Sequence, residues 1–440
     1  MFFVSSIIPL KMLKKMGVKD VRKLQLAKLR AQIRFLYENN VFYRRKLKES
    51  NIHPDDIRSF DDFAKIPFTT KEEVVEDVVR NPPFGSRVGV SLSKLVRFHI
   101  TPGPKGVFIP ILFTKKDVKE WVKANSRALQ WAGMRRNDIV QITFGYTLFI
   151  AGVMFHLAVE DLGALPIPVG PGNTKQQVKI IKDYGTTVLV GTPSYALRIL
   201  EELENSGIDP EETKLRKFIG AAEPWVTVKG FREDFKRKWK VIKSAIDYYG
   251  LGECAPVSVE CLNESGGHIV EDYVYVEVVD PKSGEPLEPE EEGEIVITHL
   301  SREASPLLRY RTSDVSYIIE DSDCKIPFRR LGGIFGRTDD MRKVKGVKVF
   351  SSQILEVLRK YNVFTGKFQM IISKKGPLDY LKLVIEHYKD KEAQARDVLK
   401  RLRKDLKEML LIKPDEIVLV EEGSYDFSKT IIDKRFTEGS

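Results

Sequence analysis

The sequence predicts an α/β protein in two parts: a large N-terminal body of several subdomains on parallel-type sheets, and a small α+β unit at the C-terminus. Three observations predict it. From Ile139 onward short apolar runs alternate with helical segments, the pattern of a sheet covered on both faces. After Tyr273 the texture turns β-rich, with Val274 to Val279 and Gly293 to Thr298 on either side of the turn Asp280-Pro281-Lys282-Ser283-Gly284. Beyond Asp340 the chain runs strand, helix, two strands, long helix, strand, a ferredoxin-like βαββαβ order.

Taken in order, Val21 to Leu47 carries apolar residues at helical spacing, with Leu29, Ile33 and Leu36 on one stripe, and reads as an amphipathic helix packed on the body. Ser59 and Thr70 precede acidic residues and are helix caps, Thr70-Lys71-Glu72-Glu73 having the capping-box spacing. Strands are expected at Ile139 to Thr143, Leu165 to Val169 and Thr187 to Val190. Between them lie helices from Leu148 to Leu162 and from Thr174 to Tyr184, stopped by Gly163 and Gly185. Gly191-Thr192-Pro193-Ser194-Tyr195 falls at the carboxyl end of a strand, where open sheets of this kind bind ligands. It is either a turn capped by Ser194 or a substrate-facing loop. In the C-terminal part the strands are Val344 to Val349, Phe368 to Ser373, Leu381 to Glu386 and Glu416 to Val420, with helices Ser351 to Arg359 and Lys391 to Leu410. The expected domains are residues 1–339 and 340–440.

Composition narrows the classes of function. The chain has 440 residues, 42% hydrophobic and 30% charged, an ordinary globular balance with room for two domains. A formal net charge of +10 suits an anionic ligand. The lysines and arginines are nevertheless scattered among almost as many acids without a nucleic-acid motif, so nucleic acid is not the expected partner. Three cysteines imply no disulfide framework and a reducing cytoplasm. The apolar run from Phe2 to Leu10 has no basic region before it and no cleavage pattern after it, so neither a signal peptide nor a membrane span is read there.

The stretch with most chemistry in it is Asp247-Tyr248-Tyr249-Gly250-Leu251-Gly252-Glu253-Cys254, an aromatic pair running into a glycine turn with a carboxylate just beyond. A flat ring and a metal-reaching carboxylate delivered to one place suit a nucleotide. In order along the chain, this stretch is accompanied by Asn40 to Arg44, Ile66 to Lys71, Gly220-Ala221-Ala222-Glu223-Pro224-Trp225, Arg309 to Asp314, Gly336 to Met341 and Lys345 to Phe350. As an ordered set they resemble the phenylacetate-CoA ligase family of adenylate-forming, acyl-CoA synthetase-like enzymes.

The resemblance implies an N-terminal adenylate-forming domain, a mobile lid, and activation of an aryl or other small carboxylic acid by ATP before transfer to CoA. Relatives suggest a homodimer. It also implies roles for particular residues. Glu253 would reach Mg2+ and serve catalysis, and Tyr249 and Gly250 would line the nucleotide site with Ala222, Glu223 and Pro224. Asp314 stands where the ribose-binding aspartate is expected, Arg337 where an arginine contacts ribose or phosphate, Asp340 at the hinge, and Gly346 where the lid backbone meets the pantetheine arm. Tyr146 and Phe149, beside Phe144 and Gly145, fall in the stretch that lines the acid. Cys261, His268 and Cys324 fall at positions of zinc ligands. Ser322 stands where one more cysteine is expected, so the set is either completed by Asp321, Asp323 or water to hold Zn2+, or lost.

The phosphate end departs from the family pattern. The loop His99-Ile100-Thr101-Pro102-Gly103-Pro104-Lys105-Gly106-Val107 contains two prolines that remove amide donors, and Val107 stands where a lysine is expected, with Lys105 as its substitute. Gly252 replaces the usual Ser or Thr before the motif glutamate. Near the C-terminus Phe427 falls in the register of the catalytic lysine, and Lys429, two residues later, is the candidate for that role. Three readings follow: an acyl-CoA ligase, a synthetase that adenylylates another acceptor such as a deazaflavin coenzyme, and a degenerate nucleotide-binding paralogue.

Overall fold

The structure, a computed structural model, describes residues 7–103, 107–320, 324–338, 341–345, 347–375, 378–410 and 412–435. The chain divides into two compact units. The first comprises Met1–Thr312 and Ser316–Ile334; the second comprises Ser313–Val315 and Phe335–Ser440. No helix among the described residues is long and apolar enough to cross a membrane.

In the first unit the N-terminal helical pattern is cut in two. Helices Val18–Asn39 and Val41–Glu49 meet at Asn40, whose extended backbone (φ −118°) ends one and begins the other. The break has a physical reason: the Asn40 side chain accepts from the Tyr43 amide at 3.0 Å and donates to the Arg87 carbonyl at 2.5 Å, so it caps the second helix and ties it to the body. The buried stripe includes Leu29, Ile33 and Leu36 as expected, but also Gln25, Lys28 and Gln32. These polar groups reach the carbonyls of Glu271, Asp272 and Arg302 at 3.1, 2.7 and 2.7 Å, which is why their burial is tolerated. Burial also lowers the pKa of Lys28. Ser59 and Thr70 both cap, and Thr70 and Glu73 form the reciprocal box.

Strands β1 (Leu95–Pro102) and β2 (Phe108–Thr114) form an antiparallel hairpin whose turn is the proline-bearing loop. Then come β3 (Ile139–Ile142), β4 (Leu165–Ile167), β5 (Val188–Gly191), β6 (Lys217–Ala221), β7 (Ser244–Tyr249), β8 (Ser258–Glu260) and β9 (Gly267–Ile269). They are followed by β10 (Val274–Val279), β11 (Gly293–His299), β12 (Tyr310–Ser316), β13 (Ile318–Ile319) and β14 (Arg330–Leu331). The principal sheet has the order β13-β14-β9-β8-β7-β6-β5-β3-β4. From β4 through β7 its strands are parallel, and beyond β7 the pairs are antiparallel. Helices Ala151–Leu162, Thr174–Asp183 and Pro193–Asn205 connect the parallel strands. The buried Val188, Leu189 and Val190 of β5 read as a continuous apolar run because both faces of that strand are covered.

In the second unit β15 (Gly336–Arg337) pairs with the end of β12, setting Asp314 opposite Arg337. The expected strand from Val344 to Val349 is instead the turn of a hairpin, β16 (Met341–Val344) with β17 (Val347–Phe350). Lys345 bends it with a left-handed backbone (φ +50°), held by its amide on Asp379 and its ammonium on Asp415. The main sheet of this unit runs β20 (Glu416–Glu421), β19 (Leu378–His387), β18 (Phe364–Lys375), β21 (Ile431–Asp433). Helices Ser351–Arg359 and Glu392–Leu410 supply Ile354, Val357, Leu402 and Leu406 to its core. Its edge strand β21 comes from the end of the chain, where the expected βαββαβ order had placed none.

Candidate active site

At the carboxyl end of β7 the chain makes a closed loop. The Leu251 amide donates to the Cys254 carbonyl at 2.7 Å, and the Cys254 amide donates back to Leu251 at 3.2 Å. Gly250 permits this closure, since a Cβ there would lie 2.7 Å from that of Ala255. The loop buries Glu253, which is 7% exposed. Its Oε1 accepts from the Tyr310 hydroxyl at 3.0 Å and lies 3.4 Å from the Lys71 ammonium. Its Oε2 makes no hydrogen bond among the described residues. Burial, and then the Glu253 carboxylate, push the Tyr310 phenol well above its usual pKa, so it stays a donor. Lys71 is the first residue of the helix Lys71–Arg80, which the Thr70–Glu73 box fixes in place. Burial likewise pushes the Cys254 thiol up, leaving it uncharged.

Tyr249 is buried at the end of β7, and its neighbour Tyr248 donates to Asn125 and contacts the Met154 sulfur at 3.2 Å. Phe155 joins this pair to the stretch expected to line the acid: it stacks on Phe144 with centroids 5.6 Å apart and meets Tyr248 at 4.8 Å. In that stretch Phe149 is exposed, and Tyr146 is bonded at 3.3 Å to His156, which in turn reaches Glu160 at 3.2 Å. The helix that follows begins at Ala151 and not at Leu148, because the Leu148 carbonyl is taken by the Ile100 amide of β1 at 3.0 Å.

The loop after β6 is tied in twice. Trp225 Nε1 donates to Asp247 Oδ1 at 2.6 Å, and the Asp247 amide donates to Glu260, whose two oxygens both accept from Arg232 Nη2 at 2.8 Å. Burial, and then the Glu260 charge, push the Asp247 carboxyl up to about 7. Glu223 accepts from the Ser194 amide at 3.1 Å and from its hydroxyl at 2.5 Å. The helix cap here is therefore Thr192, accepting from the Tyr195 amide at 3.3 Å, and Ser194 is a strut to Glu223. Between Glu223 and β6, Ala222 is held at φ +70°, a conformation that costs about 1 kcal/mol or more for a residue with a Cβ. Ala222 and Pro224 are exposed beside it.

In the second unit Arg337 donates to Asp314 Oδ1 at 3.0 Å, so one oxygen of the expected ribose carboxylate is engaged by the expected arginine. Lys429 is exposed, and its carbonyl accepts from Gln369 Nε2 at 2.7 Å while Tyr425 donates to Gln369 Oε1 at 2.6 Å. That clamp fixes the backbone at the start of β21. Lys105, Asp340 and Gly346 lie outside the described residues.

Cys261, His268 and Cys324 come together, their donor atoms within 4.8 Å of one another. His268 Nδ1 lies 3.2 Å from the Phe328 carbonyl and Nε2 3.0 Å from Cys324 Sγ. A carbonyl can only accept, so Nδ1 carries the proton and the Nε2 lone pair faces the sulfurs. Burial pulls the imidazole down to about 4, which keeps it neutral. Three donors of this kind fit a zinc ion. Asp321, Ser322 and Asp323 are outside the described residues.

Comparison with known proteins accords with this geometry. The model of the AMP-binding enzyme family matches residues 103–301, and that of the AMP-binding enzyme C-terminal domain matches residues 346–435. A solved 2-hydroxyisobutyryl-CoA ligase, in the postadenylation state with 2-HIB-AMP, superposes with a TM-score of 0.82 at 24% identity over 96% of this chain and 91% of that one. The class is thus that of adenylate-forming, AMP-binding enzymes. A phenylacetate-coenzyme A ligase of Aromatoleum evansii is 32% identical over 96% of both chains, and one of Thermus thermophilus is 36% identical over 84% of this chain and 82% of its own. The chain belongs to the phenylacetate-CoA ligase family.

Three residues at the site escaped the sequence reading. Lys71 and Tyr310 sat inside stretches that carried the resemblance, but nothing local to either indicates that both point at Glu253. Thr101 was read only as part of an impoverished loop, yet a Cβ on Gly252 would lie 2.8 Å from both its Cβ and its Oγ1.

Proposed function

We propose that the protein activates a small carboxylic acid, of the aryl phenylacetate type, with ATP and transfers it to CoA. A carboxylate oxygen of the acid attacks the α-phosphorus of ATP, the bond to the bridging oxygen breaks, and pyrophosphate leaves with that electron pair. The CoA sulfur then attacks the acyl carbon, AMP leaves, and the thiol proton passes to solvent. The observation that carries this reading is Glu253: buried at the carboxyl end of a parallel strand, with one oxygen held by Tyr310 and Lys71 and the other without a hydrogen bond among the described residues.

That open oxygen fits Mg2+, which takes one or two protein carboxylates beside phosphate oxygens and would neutralise charge on the leaving pyrophosphate. Lys71 adds a fixed cation next to it. Tyr249, Gly250, Ala222 and Pro224 enclose the adenine, and Glu223 braces their loop. Asp314 and Arg337 hold the ribose side, Tyr146 and Phe149 face the acid, and Lys429, Lys105 and Gly346 serve the phosphates and the CoA arm. The domains act as body and lid, 1–339 and 340–440. A cytoplasmic homodimer whose partners are the acid, ATP and CoA completes the reading, in keeping with three cysteines that form no disulfide.

Acid-dependent ATP–pyrophosphate exchange over a panel of aryl and short-chain acids tests the first half, and CoA-dependent release of AMP the second. Exchange with phenylacetate-like acids and AMP release with CoA are expected. A sample that binds ATP yet shows no exchange would overturn the reading in favour of a nucleotide-binding paralogue. Exchange without any effect of CoA would point to another acceptor. Zn2+ on Cys261, His268 and Cys324 is part of the proposal; elemental analysis of protein purified without chelators should find about one zinc per chain, and the Cys261→Ser variant none.

A further inference from the structure

We propose that a second cavity in the first unit, which shares no residue with the site around Glu253, binds an amphipathic organic anion: one acidic head group on an apolar body. The proposal does not depend on the ligase reading. The cavity has a volume of about 650 Å³, within the range of small-molecule sites. Helix Lys115–Trp131 gives it one wall, because Lys123, Ser126, Arg127 and Gln130 fall at i, i+3, i+4 and i+7, the spacing of a single helix face. Residues 7–10 give another, and that wall is pinned. The Ile8 amide donates to Asp272 Oδ2 at 2.6 Å, and its carbonyl accepts at 2.6 Å from Arg127, which is itself paired with Asp272 in the interior. The concavity is thus built into the fold.

Its charge is one-sided. Lys123, Arg127, Arg135 and Arg136 line it against a single carboxylate, Asp161. Lys123 donates to Asp161 at 2.6 Å and Arg127 is matched by Asp272, which leaves Arg135 and Arg136. Both are exposed, and neither has a carboxylate within ion-pair distance among the described residues. Arg127 Nε is in addition a buried donor without a partner. Two neighbouring guanidinium groups at the rim of one concavity raise its potential, and their planar forks match the oxygens of a carboxylate, sulfonate or phosphate. The rest of the lining is apolar, with Ile7, Ile8, Leu10, Met134 and Leu162. An inorganic anion would leave that surface wet, and a neutral apolar molecule would leave the arginines unmatched. A ligand with both parts satisfies both.

The test is a fluorescence titration of the whole protein with anilinonaphthalene sulfonate, a sulfonate on an aromatic body. Phenylnaphthylamine, the same body without the charge, is the control. The sulfonate should bind saturably, and excess decanoate, a carboxylate on an alkyl body, should displace it. Replacing both rim arginines, Arg135→Gln with Arg136→Gln, should weaken the sulfonate about 10-fold or more, the range for hydrogen bonds to a charged group, and leave the neutral probe unchanged. Gln130→Trp, at the exposed end of the helix stripe, should narrow the cavity and weaken both probes. Melting curves should match that of the unaltered protein in each case. Sulfonate binding as tight in the double-arginine variant as in the unaltered protein would overturn the proposal, and so would an equal loss of both probes there. Absence of saturable binding to the unaltered protein, or a Gln130→Trp variant that binds both probes normally, would overturn it as well.

Discussion

Glu253 concentrates the chemistry of the site in one side chain, so small changes to it should separate binding from turnover. Glu253→Gln keeps the shape and an acceptor for Tyr310 but removes the charge; pyrophosphate exchange should fall on the order of 100-fold or more while the variant stays folded, as read by exchange assay and melting curve. Asp247 makes the opposite kind of prediction. Its carboxyl is raised to about 7 in the folded protein against an ordinary 3.8, so the folded state holds its proton more tightly. The associated stability is full below about pH 4 and is lost as pH rises toward 7. Asp247→Asn, which retains an acceptor for Trp225, should flatten melting temperature against pH over that window and melt no lower than the unaltered protein at pH 8. A parallel pH dependence in both proteins would refute it.

Elements here owe their boundaries to single side chains that periodicity does not reveal. The helical stripe from Val21 onward is legible because Leu29, Ile33 and Leu36 recur at the spacing of one face. The break at Asn40 is not, since the residue that caps the second helix does so partly through the Arg87 carbonyl, far along the chain. Asn40→Ala should remove a cap and leave that carbonyl unpaired, lowering stability by about 1–2 kcal/mol, measurable as a shift in denaturant midpoint with an unchanged slope. The hairpin of β16 and β17 was missed for a related reason: Lys345 is a poor sequence signal for a left-handed bend, and Asp379 and Asp415, which hold it, come from elsewhere in the second unit.

Over the whole molecule the alternation of strands and helices from Ile139 to Val190 and the motif from Asp247 to Cys254 could be read from the sequence, because contiguous residues carry them. The surroundings of Glu253 could not, because Lys71 and Tyr310 reach it from two distant segments. The same holds for the tie that closes the first unit. Asp272 is fully buried, receives the Arg127 fork and the Ile8 amide, and offers its carbonyl to Lys28. Burial works against its charge, but Arg127 and its other partners hold the carboxyl below the usual range, so this stability is present above about pH 4 and lost on acidification. Asp272→Ala should cost about 3–5 kcal/mol by stranding the Arg127 charge, and should blunt the loss of stability on acidification. Melting curves from pH 3 to pH 8 would measure both.

The sealed thiol next to Glu253 gives the protein a built-in clock. Cys254 is 2% exposed and held as the neutral thiol, so an alkylating reagent reaches it only when the loop opens. Peptide mass spectrometry of timed alkylation would then report how often the heart of the site comes apart. A nucleotide that docks there should leave the rate proportional to the unoccupied fraction, slowing the modification by a factor of one plus its concentration over its Kd. Affinity for ATP, AMP or an acid could be ranked in this way in the intact protein without turnover, including in variants that have lost all activity.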